Sequence, residues 1–280
     1  MTPIRLGAVG YLNARPLVYG LDRESRFAVR YDIPAECARL LHAHETDLGL
    51  VPSIEYLRGP EPYVFVPGPA VTSKGPVASV AIYSRKDLRD VRTIAMDSSS
   101  RTSVALAAIL MRRLFDVSLE ATSMAPDLVT MLTRADAALI IGDNALFLEQ
   151  PSRRQAAVGS RQAIQKIDLG ELWTVHTGLP FVYAFWTGWA DALTPEDAER
   201  LQQARDEGVR HVDEIAVAHF ARDAGRQNVV RAYLRDNIQY SLGAVQLEGL
   251  QAFFRYASEL GLASYDGTLR FYDAVHHSAR

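Results

Sequence analysis

Hydroxyls, amides and a few charged groups gather in four short stretches of this 280-residue chain, each directly after an apolar run. Asp97-Ser98-Ser99-Ser100-Arg101-Thr102-Ser103 is the richest. Strand, then hydroxyls, then a helix start is the composition of an anion site, because free amides and the helix dipole both favour negative charge there. Arg101 could add a bidentate contact to a carboxylate. The same residues also make an ordinary helix cap beside a solvated arginine. Tyr11-Leu12-Asn13-Ala14-Arg15 follows the first apolar run, and its Asn13 offers both a donor and an acceptor. Asn13 equally suits a turn that holds its own backbone. In Val51-Pro52-Ser53-Ile54-Glu55-Tyr56, Ser53 either caps a short helix or turns the capped amides toward a cleft. Gly142-Asp143 ends the run Ala137–Ile141, which leaves Asp143 as a general base or a helix cap.

Other chemistries lack their residues. There is no GxxxxGK[ST] phosphate loop, no GxGxxG fingerprint, no HExxH pair and no GxSxG elbow. Cys37 is the single cysteine, so neither an intrachain disulfide nor a cysteine-based zinc site can form. What is left is a site of hydroxyls, amides and one cation, suited to a small carboxylate and needing neither metal nor cofactor.

Those stretches need strands that end and helices that begin beside them. Ile4–Val9, Val29–Ile33, 47–51, Tyr63–Val66, Ala78–Tyr83, Arg92–Met96, Ala137–Ile141 and Pro180–Trp186 read as strands. Pro67–Pro76 reads as a turn-rich connection. Helices are expected over Pro34–His44, Arg101–Phe115 and Pro126–Arg134, then over 195–221, 226–237 and 243–260. Alternating strands and helices predict α/β sheets, which bind ligands beyond the carboxyl ends of their strands. Tyr183 and Trp186 read as core residues of a long aromatic strand.

Hydrophobic content of 48% is enough for two modest lobes, and 22% charged residues without a low-complexity tract argue against disorder. The formal net charge of −3 gives no bulk field for nucleic acid or anionic membrane. The N-terminal residues lack the basic and apolar regions of a signal peptide, and no run reaches the roughly eighteen apolar residues of a membrane span. A cytoplasmic protein is the expectation, with a small-molecule partner and no membrane insertion. Oligomeric state is not legible.

Seven stretches together resemble the chorismate dehydratases of menaquinone biosynthesis by the futalosine route. They are Gly10–Leu17 (GYLNARPL), Asp47–Ser53 (DLGLVPS), Ser73–Val80 (SKGPVASV), Asp97–Ser103 (DSSSRTS), Ala135–Asp143 (ADAALIIGD), Asp168–Trp173 (DLGELW) and Thr177–Val182 (TGLPFV). The resemblance covers about residues 4–190 in order. It implies a type II periplasmic-binding-protein-like fold, with two α/β lobes around a central cleft and a helical C-terminal third. Lobe one would comprise 1–85 and 186–280, and lobe two 86–185. It also implies the reaction, loss of water from chorismate to give 3-[(1-carboxyvinyl)oxy]benzoate without a cofactor. Asn13 and Ser79 would act at the reacting centre. Tyr11, Arg15, Ser53, Ser98, Ser100, Arg101, Thr102, Ser103, Gly142 and Asp143 would bind the substrate. A sister enzyme of the same route, the 1,4-dihydroxy-6-naphthoate synthase type, and a non-catalytic carboxylate-binding protein share the fold and are the alternatives.

Overall fold

The structure is a computed structural model that describes residues 2–148 and 163–272. The chain opens with β1 (Ile4–Val9), β2 (Phe27–Asp32), α1 (Pro34–His42), β3 (Leu48–Pro52) and β4 (Val64–Ser73). Next come β5 (Val80–Ser84), β6 (Thr93–Asp97), α2 (Thr102–Phe115), β7 (Glu120–Met124), α3 (Leu128–Arg134), β8 (Ala137–Ile141), α4 (Gly142–Leu146), β9 (Gln165–Asp168) and α5 (Leu169–Thr177). It then runs through β10 (Phe181–Gly188), α6 (Pro195–Arg210), α7 (Val212–His219), α8 (Ala224–Ala232), β11 (Gln239–Leu242) and α9 (Ala244–Glu259).

These strands form two sheets. The first runs β11-β4-β10-β3-β1-β2 and the second β7-β6-β8-β5-β9. β1 lies parallel to β2 and β3, and β10 is antiparallel to both β3 and β4. In the second sheet β6 is parallel to β7 and β8, whereas β5 is antiparallel to β8 and β9. Helices cover these sheets, so inner strands such as β8 are apolar along their whole length and fully buried. α2 lays Leu106, Ile109 and Leu110 into the core at helical spacing. The C-terminal helices open on α6, where Thr194 and Asp197 form a reciprocal capping box ahead of Pro195. Among the described residues no helix is long and apolar enough to cross a membrane.

The lobe changes expected near 85 and 185 stand beside β5, which pairs in the second sheet, and β10, which pairs in the first. One expectation is corrected. Pro67–Ser73 belongs to β4 rather than to a turn. Between β4 and β10 the register slips from Ala70↔Phe185 to Phe65↔Thr187, so Pro67-Gly68-Pro69 falls in a bulge. That is where a strand tolerates prolines, and Gly68 takes a φ of +103°. The short strands β7, β9 and β11 were not expected; β7 and β9 lie at the edges of the second sheet, β11 at an edge of the first.

Candidate functional site

β1, β3, β6 and β8 all end at one pocket between the two sheets. Its cavity volume is about 60 Å³, small beside the roughly 300–1,000 Å³ usual for a small-molecule site. Val9, Leu50, Val71, Val80 and Ile141 supply an apolar floor, and Pro52, Tyr11 and Tyr183 add to its walls. The polar lining comes from Asn13 on the turn after β1 and from Ser100, Arg101, Thr102 and Ser103 at the start of α2. None of the lining residues is an aspartate, glutamate, histidine or lysine.

Seven residues singled out from the sequence thus meet in the pocket: Tyr11, Asn13, Ser100, Arg101, Thr102, Ser103 and Gly142. Ser100 is 3% exposed and its buried Oγ has no hydrogen-bond partner among the described residues. An unmatched hydroxyl beside a helix N-terminus is a group awaiting an acceptor. Arg101 is exposed at the pocket lining. Gly142 takes a φ of +61°, and a Cβ there would stand 2.6 Å from the Tyr11 ring. Glycine at this position lets the ring lie against the backbone.

Five others stand elsewhere. Arg15 points away; its Nη2 donates to the Gly10 carbonyl at 3.0 Å and its guanidinium lies 4.5 Å from the Tyr31 ring centre. Ser98 is exposed, with its amide on the Met124 carbonyl at 2.9 Å. Ser53 is fully buried and donates to the Val182 carbonyl at 2.8 Å, so it does not cap its own 3-10 turn. Ser79 is fully buried behind the pocket and accepts from the Tyr233 hydroxyl at 2.7 Å. Asp143 neither lines the pocket nor caps α4; its Oδ1 accepts from the Leu12 amide at 3.1 Å.

Several of these contacts join the two halves across the cleft. The Leu12 amide reaches Asp143, and the Ala35 amide donates to the Ser99 carbonyl at 3.2 Å. The Tyr11 and Ser99 hydroxyls lie 2.9 Å apart, and the Ile54 amide donates to Thr102 Oγ1 at 3.2 Å. Behind Ser99, its Oγ donates to the buried Asp97 carboxylate at 2.7 Å. These bonds tie residues of the first half to the turns after β6 and β8 and to the start of α2.

Burial dominates the electrostatics. It pushes the Asp143 carboxyl up to about 6, against the pull of the Leu12 amide and Arg15. It raises the Tyr11 phenol too, although the Ser99 hydroxyl opposes the rise. Tyr183, buried and 2.9 Å from Ser73 Oγ, is raised for the same reason. Among the described residues no group of three or more His, Cys, Asp or Glu is placed to hold a metal.

Sequence reasoning missed Tyr183, Ser99 and Tyr233. Tyr183 was assigned to the core with Trp186; Trp186 is core, while Tyr183 lines the pocket. Alternation along β10 places the two on opposite faces and was the available signal. Ser99 sat unmarked between marked neighbours, and no local pattern distinguishes it. Tyr233 lies on the C-terminal segment, far along the chain from the residues it meets.

Known proteins resemble this chain in sequence and in fold. A family model described as menaquinone biosynthesis matches residues 4–259. The chorismate dehydratase of Thermus thermophilus is 32% identical over 275 residues, which is 94% of this chain and 97% of that protein. A solved structure from Archaeoglobus fulgidus aligns with a TM-score of 0.72 at 16% identity, covering 93% of this chain and 98% of that one. A Candida albicans protein described as having the generic periplasmic binding protein fold aligns at 0.62 with 12% identity, covering 95% and 93%. The fold is that of the periplasmic binding proteins, and the chain belongs to the menaquinone biosynthesis family.

Proposed function

We propose that this chain is a chorismate dehydratase, a hydro-lyase that converts chorismate to 3-[(1-carboxyvinyl)oxy]benzoate and water. The observation that carries this is the 32% identity, across 94% of the chain, to an enzyme of that name. The chemistry of the pocket supports it. Chorismate brings two carboxylates, and the start of α2 offers free amides, the unmatched Ser100 hydroxyl and Arg101 to one of them. The apolar floor suits its ring.

The reaction breaks the ring C3–H and C4–O bonds, and the ring becomes aromatic. The proton needs an acceptor, and no residue lining the pocket is an ordinary base. The enolpyruvyl carboxylate of the substrate itself takes the C3 proton and passes it to the departing C4 hydroxyl, which leaves as water, so the carboxylate ends unprotonated. The protein's part is orientation, through Asn13 at the reacting centre and the anion contacts at α2. Asp143, outside the lining, serves the Leu12 backbone. Asn13→Ala is therefore expected to lower kcat about 100-fold or more, and Asp143→Asn less than about fivefold. Steady-state rates on chorismate in the reverse order would replace the substrate's carboxylate with Asp143 as the base.

A further inference from the structure

Arg15 shares a turn with Asn13 yet lines a different space, a second groove with a cavity volume of about 390 Å³. That volume lies within the roughly 300–1,000 Å³ usual for a small-molecule site. The groove shares no lining residue with the pocket at the strand ends. It is built from the 3-10 segments Leu12–Val18 and Leu21–Arg23, from β2 and from α7. Val18, Ile215 and Ala218 give it apolar surface, and the Tyr19 and Tyr31 rings add to its walls.

Two guanidiniums line this groove. Arg15 lies 4.5 Å from the centre of the Tyr31 ring and Arg23 5.7 Å from that of Tyr19. Neither forms an ion pair among the described residues. A guanidinium carries five N–H donors. Arg15 donates through Nη2 to the Gly10 carbonyl at 3.0 Å, and its Nε is buried without a hydrogen-bond partner. Of the two acidic residues in the lining, Glu214 accepts from the Tyr19 hydroxyl at 2.8 Å and Asp22 is exposed. Guanidinium donors thus outnumber the acceptors that the groove itself offers. A planar carboxylate supplies acceptors in the geometry a guanidinium fork matches, and an aromatic body suits the apolar surface beside it. We propose that this groove is a second site, for a small aromatic carboxylate, and that Arg15 couples it to the pocket.

The coupling runs through one bond. Gly10 directly precedes Tyr11 and Asn13, which line the pocket, and Arg15 holds its carbonyl. The same guanidinium is a cation of the groove. A carboxylate drawn onto it competes with the Gly10 carbonyl for its N–H groups and loosens the turn. Bound carboxylate should therefore slow turnover without occupying the pocket. Only this effect on turnover rests on the proposed function; the binding does not.

Benzoate is the probe, with benzamide as the uncharged control and acetate as the control without a ring. In full-length 15N-labelled protein, benzoate is expected to shift the amide signals of Gly20 and Ala218 in the groove and that of Tyr11 beyond Arg15. Benzamide and acetate should bind at least about tenfold more weakly. Ala218→Trp fills the groove from an exposed position on α7, and Arg23→Gln removes an exposed guanidinium. Each is expected to weaken benzoate by about threefold or more while turnover of chorismate alone stays within about twofold. In the wild type, saturating benzoate should lower kcat on chorismate about fivefold, and this loss should vanish in Ala218→Trp. Groove amides that benzoate does not move, an affinity that neither substitution changes, or inhibition that is purely competitive and persists in Ala218→Trp would overturn the proposal. The product of the proposed reaction is itself an aromatic carboxylate. Product that shifts Gly20 and Ala218 identifies it as the occupant, and product that shifts only pocket amides, where benzoate moves the groove, assigns the groove to another member of the class. A wild type that leaves chorismate unchanged while benzoate moves Gly20, Ala218 and Tyr11, and no longer does so in Ala218→Trp, would count against the dehydratase proposal and leave the second site standing.

Discussion

Burial holds the Asp143 carboxyl near pH 6 although the Leu12 amide and Arg15 both favour its charge. The folded protein keeps this proton in a window where the unfolded chain has released it, from the ordinary value of 3.8 up to about 6. The native state is thus favoured fully below that window, and the advantage is lost as pH rises through 6. The variant Asp143→Asn has no proton to lose at this position and carries no such dependence. We expect Asp143→Asn to gain about 3 kcal/mol of unfolding free energy relative to the wild type between pH 3.5 and pH 7. Urea unfolding of both proteins across that range checks it, and parallel curves would show that the carboxyl is not held in this way. The substituted amide can still accept from Leu12, so the turn that carries Tyr11 and Asn13 should keep its place. That is why the same substitution is expected to cost little activity.

Helix α2 links the pocket to the opposite half of the molecule. Thr102 Oγ1 accepts from the Ile54 amide at 3.2 Å and lies 3.4 Å from Ser53 Oγ, all among buried residues. Thr102→Val keeps the shape and removes the acceptor, which leaves a buried amide without a partner. A loss of about 1–3 kcal/mol is expected in chemical denaturation. A variant as stable as the wild type would mean that the two halves do not depend on this bond. Much at this scale was legible beforehand. The helical spacing of α2, the unbroken apolar run of β8 and the capping signal before α6 each name their element, because each is a local consequence of burial or of helix ends. β4 was not legible past Val66. Its Pro-Gly-Pro stretch carries turn chemistry, and only pairing with β10 and β11 makes it a bulged strand.

Two connections join the halves, and Asp168 binds across them. Its carboxylate accepts from the Val77 and Ala78 amides of the first crossing, at 3.1 and 2.7 Å. It also accepts from Gly170 and Glu171 at the start of α5, at 2.9 and 3.1 Å. Ala78 itself sits at a φ of +64°, a strained position for a residue with a Cβ, and these bonds help to keep it there. Asp168→Ala is expected to lower unfolding free energy by about 2–4 kcal/mol, with Asp168→Asn losing less, as read by denaturant midpoints. Equal stability of all three proteins would show that the crossings are held by other contacts. At this scale the sequence was least informative. The motif 168–173 was recognisable, but its bond to Val77 and Ala78 spans about ninety positions, a separation that no local pattern can display. The same holds for Tyr233 on Ser79, 154 positions apart. Pocket residues next to strand ends were found because the fold class alone says where strands end; their supports were not. The account as a whole depends on what this pocket does to chorismate. The purified protein should be incubated with it and the mixture followed by liquid chromatography with mass detection. An aromatic product lighter by one water is the predicted result. Unchanged chorismate, from folded protein whose melting temperature chorismate does not move, would contradict it.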